Sequence, residues 1–440
     1  MNAWRNLAVG AGLGLAFLGS GAVFAQEQYI PIIAYRTGPV TAIGSGAPGG
    51  FIDYMDMLNK RDGGVNGIKL VWEDCETGFQ PDRGIECYER LKRKGTGAPV
   101  LNPMMTALVY ALVDRAPSEK IPIVTPTYGR ADTADGRVFP WVFPLMATYW
   151  SANTAKIQFI AQKEGGIEKL KGKKIANVYV GVPYGKETLP LLDAQAKKYG
   201  FELTNIEVSH PGTEQQAQWL RVRQLKPDWV ILRGAGVMAV TALKMAQKVG
   251  YPADRIVGTH IAGAEEDVIP AGEAAKGYIS VVETPSGTDF PVIKDIAKHL
   301  YAGGKRGNLE DPKRLGSIYY NLGVAMGIVN IEALRVAHAR FGKRPITGEE
   351  MRWALEHLNI DNKRLRELGA EGLVQPLKTS CADHEGGHAV KFHQWDGGKW
   401  VLVSDWISSD KSIVRPLVEE SAMKYAKEKG ITPRDCSKES

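Results

Sequence analysis

The chain has 440 residues, of which 44% are hydrophobic and 24% are charged, a composition typical of globular proteins and unlike that of disordered or fibrous chains. Its formal net charge of +6 is too small a surplus for a nucleic-acid-binding surface, so we expect no nucleic-acid partner. The length exceeds what one hydrophobic core usually supports and predicts two domains.

The first 25 residues have the pattern of a secretory signal peptide. Arg5 is the only charged residue before an apolar stretch over residues 7–24, which closes on the small-x-small cleavage pattern of residues 23–25. The stretch barely reaches the roughly 20 residues of a spanning helix and contains several glycines, which argues against an uncleaved anchor. No cysteine precedes Cys75, so we predict no lipid anchor. We predict cleavage after Ala25 and export to the periplasm.

The four cysteines are expected to form two disulfides, because the predicted compartment is oxidising. Four cysteines permit three pairings, and the sequence alone does not select one. Proximity favours Cys75 with Cys87, on either side of a short loop, and Cys381 with Cys436, both near the C-terminus. Four free thiols are the alternative.

Short apolar runs alternate with amphipathic stretches from residue 29 onwards. A first series of predicted strands and helices lies at residues 29–35, 51–60, 68–73, 84–94, 99–101, 107–116 and 121–125. A second series lies at residues 152–163, 174–180, 185–199, 202–208, 214–224, 228–233, 236–248, 255–259 and 277–282. This alternation predicts an α/β fold with two Rossmann-like lobes, each around a parallel central sheet.

Two segments are predicted to cross between the lobes. Residues 139–144 (FPWVFP) contain two prolines, which are excluded from the interior of a sheet, and residues 284–288 form the second candidate. Predicted helices follow at residues 291–301, 315–341 and 348–358. A β-rich tail at residues 388–394 and 399–404 surrounds an Asp-Gly dipeptide, a strong hairpin signal.

Residues 44–49 satisfy the G-x-G-x-x-G pattern of dinucleotide sites. In such sites the turn leads directly from strand to helix, so that the helix N-terminus meets the pyrophosphate. Here residues 36–50 separate the predicted strand from the predicted helix. We therefore expect no dinucleotide cofactor and interpret the segment as a loop at the rim of a cleft.

Five side chains of metal-ligand type lie within a short stretch before and within the β-rich tail: Cys381, Asp383, His384, His388 and His393. Thiolate and imidazole are zinc ligands, but a disulfide removes the thiol, and an odd spacing puts His388 and His393 on opposite faces of a strand. We expect hydrogen-bonding histidines and no metal. The chain has no recognisable nucleophile motif, so we predict no enzymatic activity, with an exported metal-dependent hydrolase as the alternative.

Several segments together resemble the type I periplasmic binding proteins of ABC importers, in the group that takes branched-chain amino acids, amides and aromatic acids. They are the first strand with its glycine-rich segment and residues 74–78 (DCETG), 85–92, 121–126 (IPIVTP), 182–185 (VPYG) and 226–232 (KPDWVIL). The resemblance covers nearly the whole chain. It implies two lobes joined by three crossings, one lobe at residues 26–147 and 285–365 and the other at residues 148–284 and 366–440.

The resemblance also implies a function and a partner. A small-molecule ligand is gripped from both lobes, the hinge closes, and the loaded monomer is presented to an ABC permease in the inner membrane. A periplasmic ligand sensor that feeds a signalling receptor is the alternative within the same class.

In that family the ligand is held by loops at the carboxyl ends of strands, which agrees with the general rule for parallel sheets. The matching positions in the first lobe are Met105, Thr106, Thr127 and Tyr128. Thr106 stands where a serine is usual and Gly129 where a threonine is usual. The resemblance thus implies a ligand carboxylate held by hydroxyl and backbone N–H groups. Because residue 129 is a glycine, it implies altered contacts to the ligand at that position.

Aromatic side chains are expected to form a stacking wall. Tyr184 matches the stacking tyrosine of the family in the second lobe. Trp150 and Tyr319, together with Tyr128, are the other candidates.

His260 falls near the family's acidic residue, which pairs with the ammonium group of an amino-acid ligand. A neutral histidine cannot balance that charge, and an unpaired buried ion costs several kcal/mol. Glu265 or Glu266 could take the place of the family's acidic residue if the loop after His260 is longer than assumed. Otherwise the ligand lacks an α-ammonium group, which favours an apolar or aromatic carboxylate or an amide over a hydrophobic amino acid.

Overall fold

The computed structural model describes residues 26–438, so the predicted signal peptide lies outside the described residues. The first lobe begins with β1 (Glu27–Ala34), α1 (Thr41–Asp62), β2 (Lys69–Glu76), α2 (Pro81–Leu91), α3 (Thr106–Leu112), α4 (Ala116–Glu119), β3 (Ile123–Val124) and β4 (Val142–Phe143). The second lobe follows with α5 (Tyr149–Glu164), β5 (Lys174–Val180), α6 (Pro183–Lys186), α7 (Leu189–Tyr199), β6 (Glu202–Val208), α8 (Gln216–Leu225), β7 (Trp229–Arg233), α9 (Val237–Lys248), β8 (Ile256–Gly258), α10 (Glu265–Val268) and β9 (Ile279–Val282).

The chain then returns to the first lobe and ends in a tail that contacts both lobes. These elements are α11 (Pro291–Ile296), α12 (Ile318–Phe341), α13 (Gly348–Glu356), β10 (Asn359–Ile360), α14 (Asn362–Glu367), β11 (Leu377–Lys378), β12 (Ala389–Trp395), β13 (Trp400–Leu402), β14 (Ile407–Ser408) and α15 (Lys411–Lys429). The predicted two-lobed α/β fold is confirmed. The predicted lobe boundary at residues 365/366 separates β10 from β11, although the two strands pair with each other.

The second lobe is built on an eight-stranded sheet in the order β13-β12-β9-β8-β7-β5-β6, with β14 paired to β12. Strands β5 to β9 are parallel to one another, whereas β12 pairs antiparallel with β9 and with β13. Helices cover the sheet, so its central strands are almost continuously apolar, as in the sequence WVILR of β7. The tail predicted as β-rich therefore completes this sheet.

Pairing in the first lobe is less extensive. Strands β1 and β2 are parallel over eight residues, from Glu27 opposite Lys69 to Ala34 opposite Glu76. The strand predicted at residues 99–101 is reduced to a single bridge from Leu101 to Ile123.

The segment at residues 139–144, predicted to cross between the lobes, instead contributes β4 to the first lobe, paired with β3 alone. The two strand residues lie between the prolines, which themselves stay outside the hydrogen-bonded ladder. The exclusion of proline from a sheet therefore applies to Pro140 and Pro144 but not to the two residues of β4 between them.

The glycine-rich segment at residues 44–49 is helical, which contradicts the predicted rim loop. It forms the first turns of α1 and packs against α12. A Cβ on Gly50 would lie 2.1 Å from the carbonyl oxygen of Tyr320, and a Cβ on Gly323 would lie 1.9 Å from the carbonyl oxygen of Ala47. Packing of the two helices thus outweighs the low helix propensity of glycine.

Helix α12 is long and apolar enough to cross a membrane by length and composition, but 83% of its most apolar stretch is buried inside the protein. A helix that is apolar on all sides and covered by protein is a core helix. It packs against α1 in the hydrophobic core of the first lobe.

The C-terminal helix α15, which the sequence analysis missed, contacts both lobes. At its N-terminal end Asp410 accepts a hydrogen bond from Lys198 of the second lobe at 3.1 Å. At its C-terminal end Lys429 pairs with Asp114 of the first lobe at 2.6 Å. Pro416 lies inside the helix, and because proline normally ends a helix, it conceals the helix in the sequence.

Two disulfides are present, Cys75–Cys87 and Cys381–Cys436. The first joins β2 to α2. The second joins partners 55 residues apart and ties the end of the chain to the segment before β12. Closing a loop of that length restricts the unfolded chain by about 4 kcal/mol in the chain-entropy description.

Replacement of Gly50 by alanine is expected to lower the free energy of unfolding by about 1–3 kcal/mol, because the new methyl group would overlap the α12 backbone. Denaturant unfolding followed by circular dichroism measures the change. Gly398→Ala is the matched control, since the nearest atom to its new Cβ is 3.7 Å away, and its effect should stay within about 0.5 kcal/mol. Equal effects of the two substitutions would contradict the close approach of α1 and α12.

Candidate functional site

A cavity lies between the two lobes, next to the carboxyl ends of β3, β5, β7 and β8. Its volume is about 50 Å³, smaller than the roughly 300 to 1,000 Å³ typical of small-molecule sites, so a ligand needs the lobes to move apart before it can enter. The first lobe contributes Tyr35, Val40, Ile43, Phe79, Met104, Met105, Thr106, Thr127, Tyr128, Leu322 and Met326, and the second lobe contributes Tyr149, Tyr184, Ala235, His260 and Ile261. Aliphatic, aromatic and sulfur-containing side chains predominate, and none of these residues is an aspartate, glutamate, lysine or arginine.

Two residues of the first-lobe loops have left-handed backbone conformations. Met104 has φ of 60° and Thr127 has φ of 67°, a region that is unfavourable for most L-residues and especially for a β-branched one. The Met104 N–H donates to the Tyr128 hydroxyl at 2.8 Å, which joins the two loops. Strain of this kind is typical of functional loops, and here both strained residues line the cavity.

Gly129 also has a left-handed conformation, with φ of +101°, and a Cβ at this position would lie 3.0 Å from Oγ1 of Thr125. Glycine is therefore the residue that this backbone conformation favours.

Hydrogen bonds between the lobes join the polar side chains of the cavity. The Thr106 hydroxyl lies 3.2 Å from the hydroxyl of Tyr149, the first residue of α5. The Thr127 hydroxyl lies 3.2 Å from Nε2 of His260. The Tyr149 and His260 rings are roughly parallel, with centroids 6.4 Å apart, so the two hydrogen-bonded pairs lie side by side and form a polar patch in a largely apolar cavity.

His260 lies next to a buried carboxylate. Its Nδ1 lies 3.1 Å from Oε1 of Glu283, and both side chains are buried. Glu283 follows β9 and is not part of the cavity lining. The carboxylate therefore contacts His260 from behind and leaves Nε2 to face Thr127.

Tyr184 lies in α6, directly after β5. Its hydroxyl is 3.0 Å from the carbonyl oxygen of Gly234 and 2.7 Å from Oγ1 of Thr259. Its ring meets that of Tyr149 edge to face at 5.4 Å. Behind both rings lies the guanidinium of Arg233, 4.3 Å from the Tyr149 centroid and 4.5 Å from the Tyr184 centroid.

Six of the eight side chains selected from the sequence line this cavity: Met105, Thr106, Thr127, Tyr128, Tyr184 and His260. Trp150 is outside it and donates from Nε1 to the Glu187 carbonyl oxygen at 2.8 Å. Successive helical residues point about 100° apart, so Tyr149 faces the cavity and its neighbour does not.

Tyr319 is also outside the cavity lining. Its hydroxyl donates to the Ile261 carbonyl oxygen at 2.8 Å and contacts Asp267. Glu265 and Glu266 are likewise engaged elsewhere, with the Ile318 N–H at 3.1 Å and with Arg314 at 2.6 Å. Neither glutamate faces the cavity.

Among the residues that the sequence analysis missed are the lining residue Tyr149 and, behind it, Arg233 and Glu283. Arg233 and Glu283 nevertheless leave a signal, since each is a charged residue at or directly after the carboxyl end of an apolar strand. In a parallel sheet this is where ligand sites form. Tyr149 has no comparable signal, because Trp150 beside it is equally aromatic.

The five side chains of metal-ligand type are dispersed. Cys381 is in a disulfide; His384 stacks on Phe143 at 4.0 Å and lies 3.3 Å from Glu356. His393 stacks on Trp400 at 3.7 Å, and burial lowers its pKa to about 3. Within residues 26–438 no group of three or more histidine, cysteine, aspartate or glutamate side chains is arranged to hold a metal ion.

His388 lies between two carboxylates, 3.0 Å from Glu385 and 3.2 Å from Asp383. Burial lowers its pKa, but the hydrogen bonds and charges of the two carboxylates outweigh burial and raise the pKa to about 10. The group is a charged ion-pair cluster that links the tail to the start of α5, because Glu385 also accepts from the Thr148 N–H at 2.6 Å.

Residues 27–399 match the family described as periplasmic binding proteins. The match covers well over half of the chain, so the chain belongs to the periplasmic binding protein family, and the predicted resemblance is confirmed.

Particular relatives can be named. A crystal structure described as an ABC transporter permease from the Pseudomonas fluorescens group is 48% identical, with a TM-score of 0.88, over 94% of this chain and 100% of that one. The Leu/Ile/Val-binding protein homolog 3 of Brucella melitensis is 26% identical over 195 residues, 43% of this chain and 50% of the relative. The chain thus matches about half the length of this curated relative.

A branched-chain amino acid ABC transporter structure from Thermus thermophilus with bound valine has a TM-score of 0.74 at 19% identity, over 89% of this chain and 99% of that one. At that identity the likeness shows a shared fold.

The stability contributed by His388 is expected to depend on pH. Its pKa in the folded protein, about 10, exceeds the unfolded value near 6.5, so the contribution is complete below about pH 6.5 and is lost as the pH rises through about 10. In melting-temperature measurements from pH 6 to 10, His388→Gln should flatten this decline. Substitution of the exposed His210 serves as the control. An unchanged pH profile in His388→Gln would contradict the ion-pair cluster.

Proposed function

We propose that this protein captures a small, largely apolar solute in the cavity between its lobes and delivers it to an ABC permease from the periplasm. The observation that carries the proposal is a cavity lined from both lobes by apolar and aromatic side chains, with one patch of uncharged polar groups. Such a cavity suits a ligand with an apolar body and a single polar end. Membership of the periplasmic binding protein family supports capture without chemical conversion.

The polar patch is suited to a carboxylate or an amide. Hydroxyl groups of Thr106, Thr127 and Tyr149 and the imidazole of His260 converge there and form hydrogen bonds with one another across the cleft. A ligand oxygen would replace those contacts with its own. Each hydrogen bond to the ligand would replace one that the protein already makes, so these bonds contribute more to the orientation of the ligand than to its affinity.

None of the described residues that line the cavity is an aspartate or glutamate that could pair with an α-ammonium group. Glu265 and Glu266 are engaged with the start of α12 and with Arg314, and Glu283 lies behind His260. Burying an ammonium group without a counter-charge is costly. We therefore favour apolar or aromatic carboxylates and amides over hydrophobic amino acids.

Closure of the lobes supplies the binding step. The Val237 N–H of the second lobe donates to the Pro39 carbonyl oxygen of the first lobe at 3.2 Å. Glu187 of the second lobe accepts from the Ala131 N–H of the first at 2.8 Å and from the hydroxyl of Tyr110. A ligand that bridges the lobes adds to these contacts and shifts the population toward the closed form.

A thermal-shift screen tests the proposed ligand class on protein lacking residues 1–25. Leucine, its amine-free analogue 4-methylpentanoate, 4-methylpentanamide, benzoate and benzamide form a matched series. A ligand at a hundred times its dissociation constant adds about 2.7 kcal/mol, which is a readily measured shift. Acids or amides should stabilise the protein more than leucine does. Stabilisation by leucine alone would contradict the proposed absence of an ammonium partner.

Tyr184→Ala is expected to weaken binding of the best ligand by at least about tenfold, because it removes an aromatic face from the cavity. Isothermal titration calorimetry measures the dissociation constant. Tyr179→Ala is the control, since Tyr179 is a mostly buried tyrosine of the same lobe that binds Glu207 at 3.0 Å outside the cavity. Equal losses of affinity in the two variants would remove Tyr184 from the site.

A further inference from the structure

A cluster of charged side chains is buried behind the aromatic wall of the second lobe. Arg233, Lys156 and Glu283 are each only 1% exposed. They come from the end of β7, the middle of α5 and the residue after β9. Two basic groups and one acidic group thus share a low-dielectric region, and none of the three lines the cavity.

Among residues 26–438, no acidic side chain is in direct contact with Arg233. Its Nε donates to the Tyr184 carbonyl oxygen at 2.8 Å, and its guanidinium lies over the Tyr149 and Tyr184 rings. Within the described part of the chain its Nη2 has no hydrogen-bond partner, and no carboxylate lies within ion-pair distance. The two ring faces stabilise the cation, but they do not neutralise it.

Lys156 lies on the same face of α5 as Tyr149, two turns further along the helix. It is fully buried, and its ammonium has neither a hydrogen bond nor an ion pair among residues 26–438. Burial and, to a lesser degree, the charge of Arg233 lower its pKa to about 7, with Glu283 opposing the shift. At neutral pH this lysine is therefore protonated in only a fraction of the molecules.

Glu283 does not balance both basic groups, because its nearest partner is His260 at 3.1 Å. A second buried carboxylate, Glu187, also interacts electrostatically with Arg233, but burial raises its pKa to about 7, so it is only partly charged at neutral pH. Among residues 26–438 no carboxylate forms an ion pair with Arg233 or Lys156, which lie behind the cavity wall. Desolvated charge without compensation is unfavourable. An anion on the cavity side of this wall would supply that compensation through a region of low dielectric.

We infer that Arg233 and Lys156 make the cavity selective for a ligand that carries one negative charge, and that Lys156 takes up a proton from solvent as this ligand binds. The inference rests on the proposed function and narrows its ligand class from carboxylate or amide to carboxylate. Arg233 and Lys156 do not touch the ligand. They act as positioning and charge-determining residues through the tyrosine rings and the electrostatic field.

The first test compares acids with their amides, using benzoate against benzamide and 4-methylpentanoate against 4-methylpentanamide. The unmodified protein should bind the acid of a pair at least about tenfold more tightly. Arg233→Gln should bring the affinity ratio close to one, and Arg233→Lys should retain it. A structural role of Arg233 alone would weaken acid and amide equally and leave the ratio unchanged, which would overturn the inference.

The second test measures proton uptake by titration calorimetry at pH 7 in phosphate and in Tris, whose ionisation enthalpies differ. Binding of an acid should take up about half a proton, and binding of an amide should take up none. Lys156→Met should abolish the uptake and weaken acid binding selectively. Lys163→Met, on an exposed position of the same helix, should change neither quantity. Undiminished proton uptake in Lys156→Met would overturn the inference even if Arg233 variants fail to fold.

The outcomes separate this inference from the proposed function. If acids and amides bind equally well, the capture of an apolar solute stands and charge selection is wrong. If no member of the series binds, the proposed ligand class and the inference are both wrong.

Discussion

The close approach of α1 and α12 is the contact on which the first lobe depends. Gly50 and Gly323 bring two helix backbones to within a distance that no larger side chain permits. The same pair of helices positions Ile43 and Met326, which form part of the cavity surface. A packing requirement in the core therefore sets the shape of a surface to which the ligand would be bound.

The cavity combines two kinds of environment that are usually separate. Its surface is uncharged, whereas charged groups are buried one layer behind it. Tyrosine rings separate the two, with Arg233 on one side and the cavity on the other. This arrangement lets electrostatic preference operate without placing a mobile ionic side chain in the cavity, where it would need water or a counter-ion of its own.

The sequence was most informative where local pattern and tertiary structure agree. Strand β5 has the bounds predicted for it, because a parallel strand covered on both faces is an almost continuous apolar run. The edge strand β6 also has its predicted bounds. Residues 44–49 were misinterpreted because glycine is read as a loop signal, while the helical state is stabilised by a partner helix almost 280 positions away. Helix α15 was missed for a similar reason, since Pro416 contradicts a helix locally.

In the candidate site, too, some features could be predicted from local sequence and others depend on tertiary packing. Loops at the carboxyl ends of strands could be located from the order of elements, and six of eight selected side chains line the cavity. Which of two adjacent aromatic residues faces inward depends on the rotation of α5, and the sequence does not determine that rotation. The Arg233 cluster required three segments to be brought together by the second-lobe sheet.

Helix α15 has a mechanical consequence for a two-lobed protein. Its apolar residues pack with Leu191 of one lobe and with Leu112 of the other, and its ends pair with Lys198 and Asp114. A rigid helix cannot lengthen, so the lobes cannot separate along it while both ends remain bound. The free energy needed to release one end is therefore part of the resistance to opening, alongside whatever the ligand contributes.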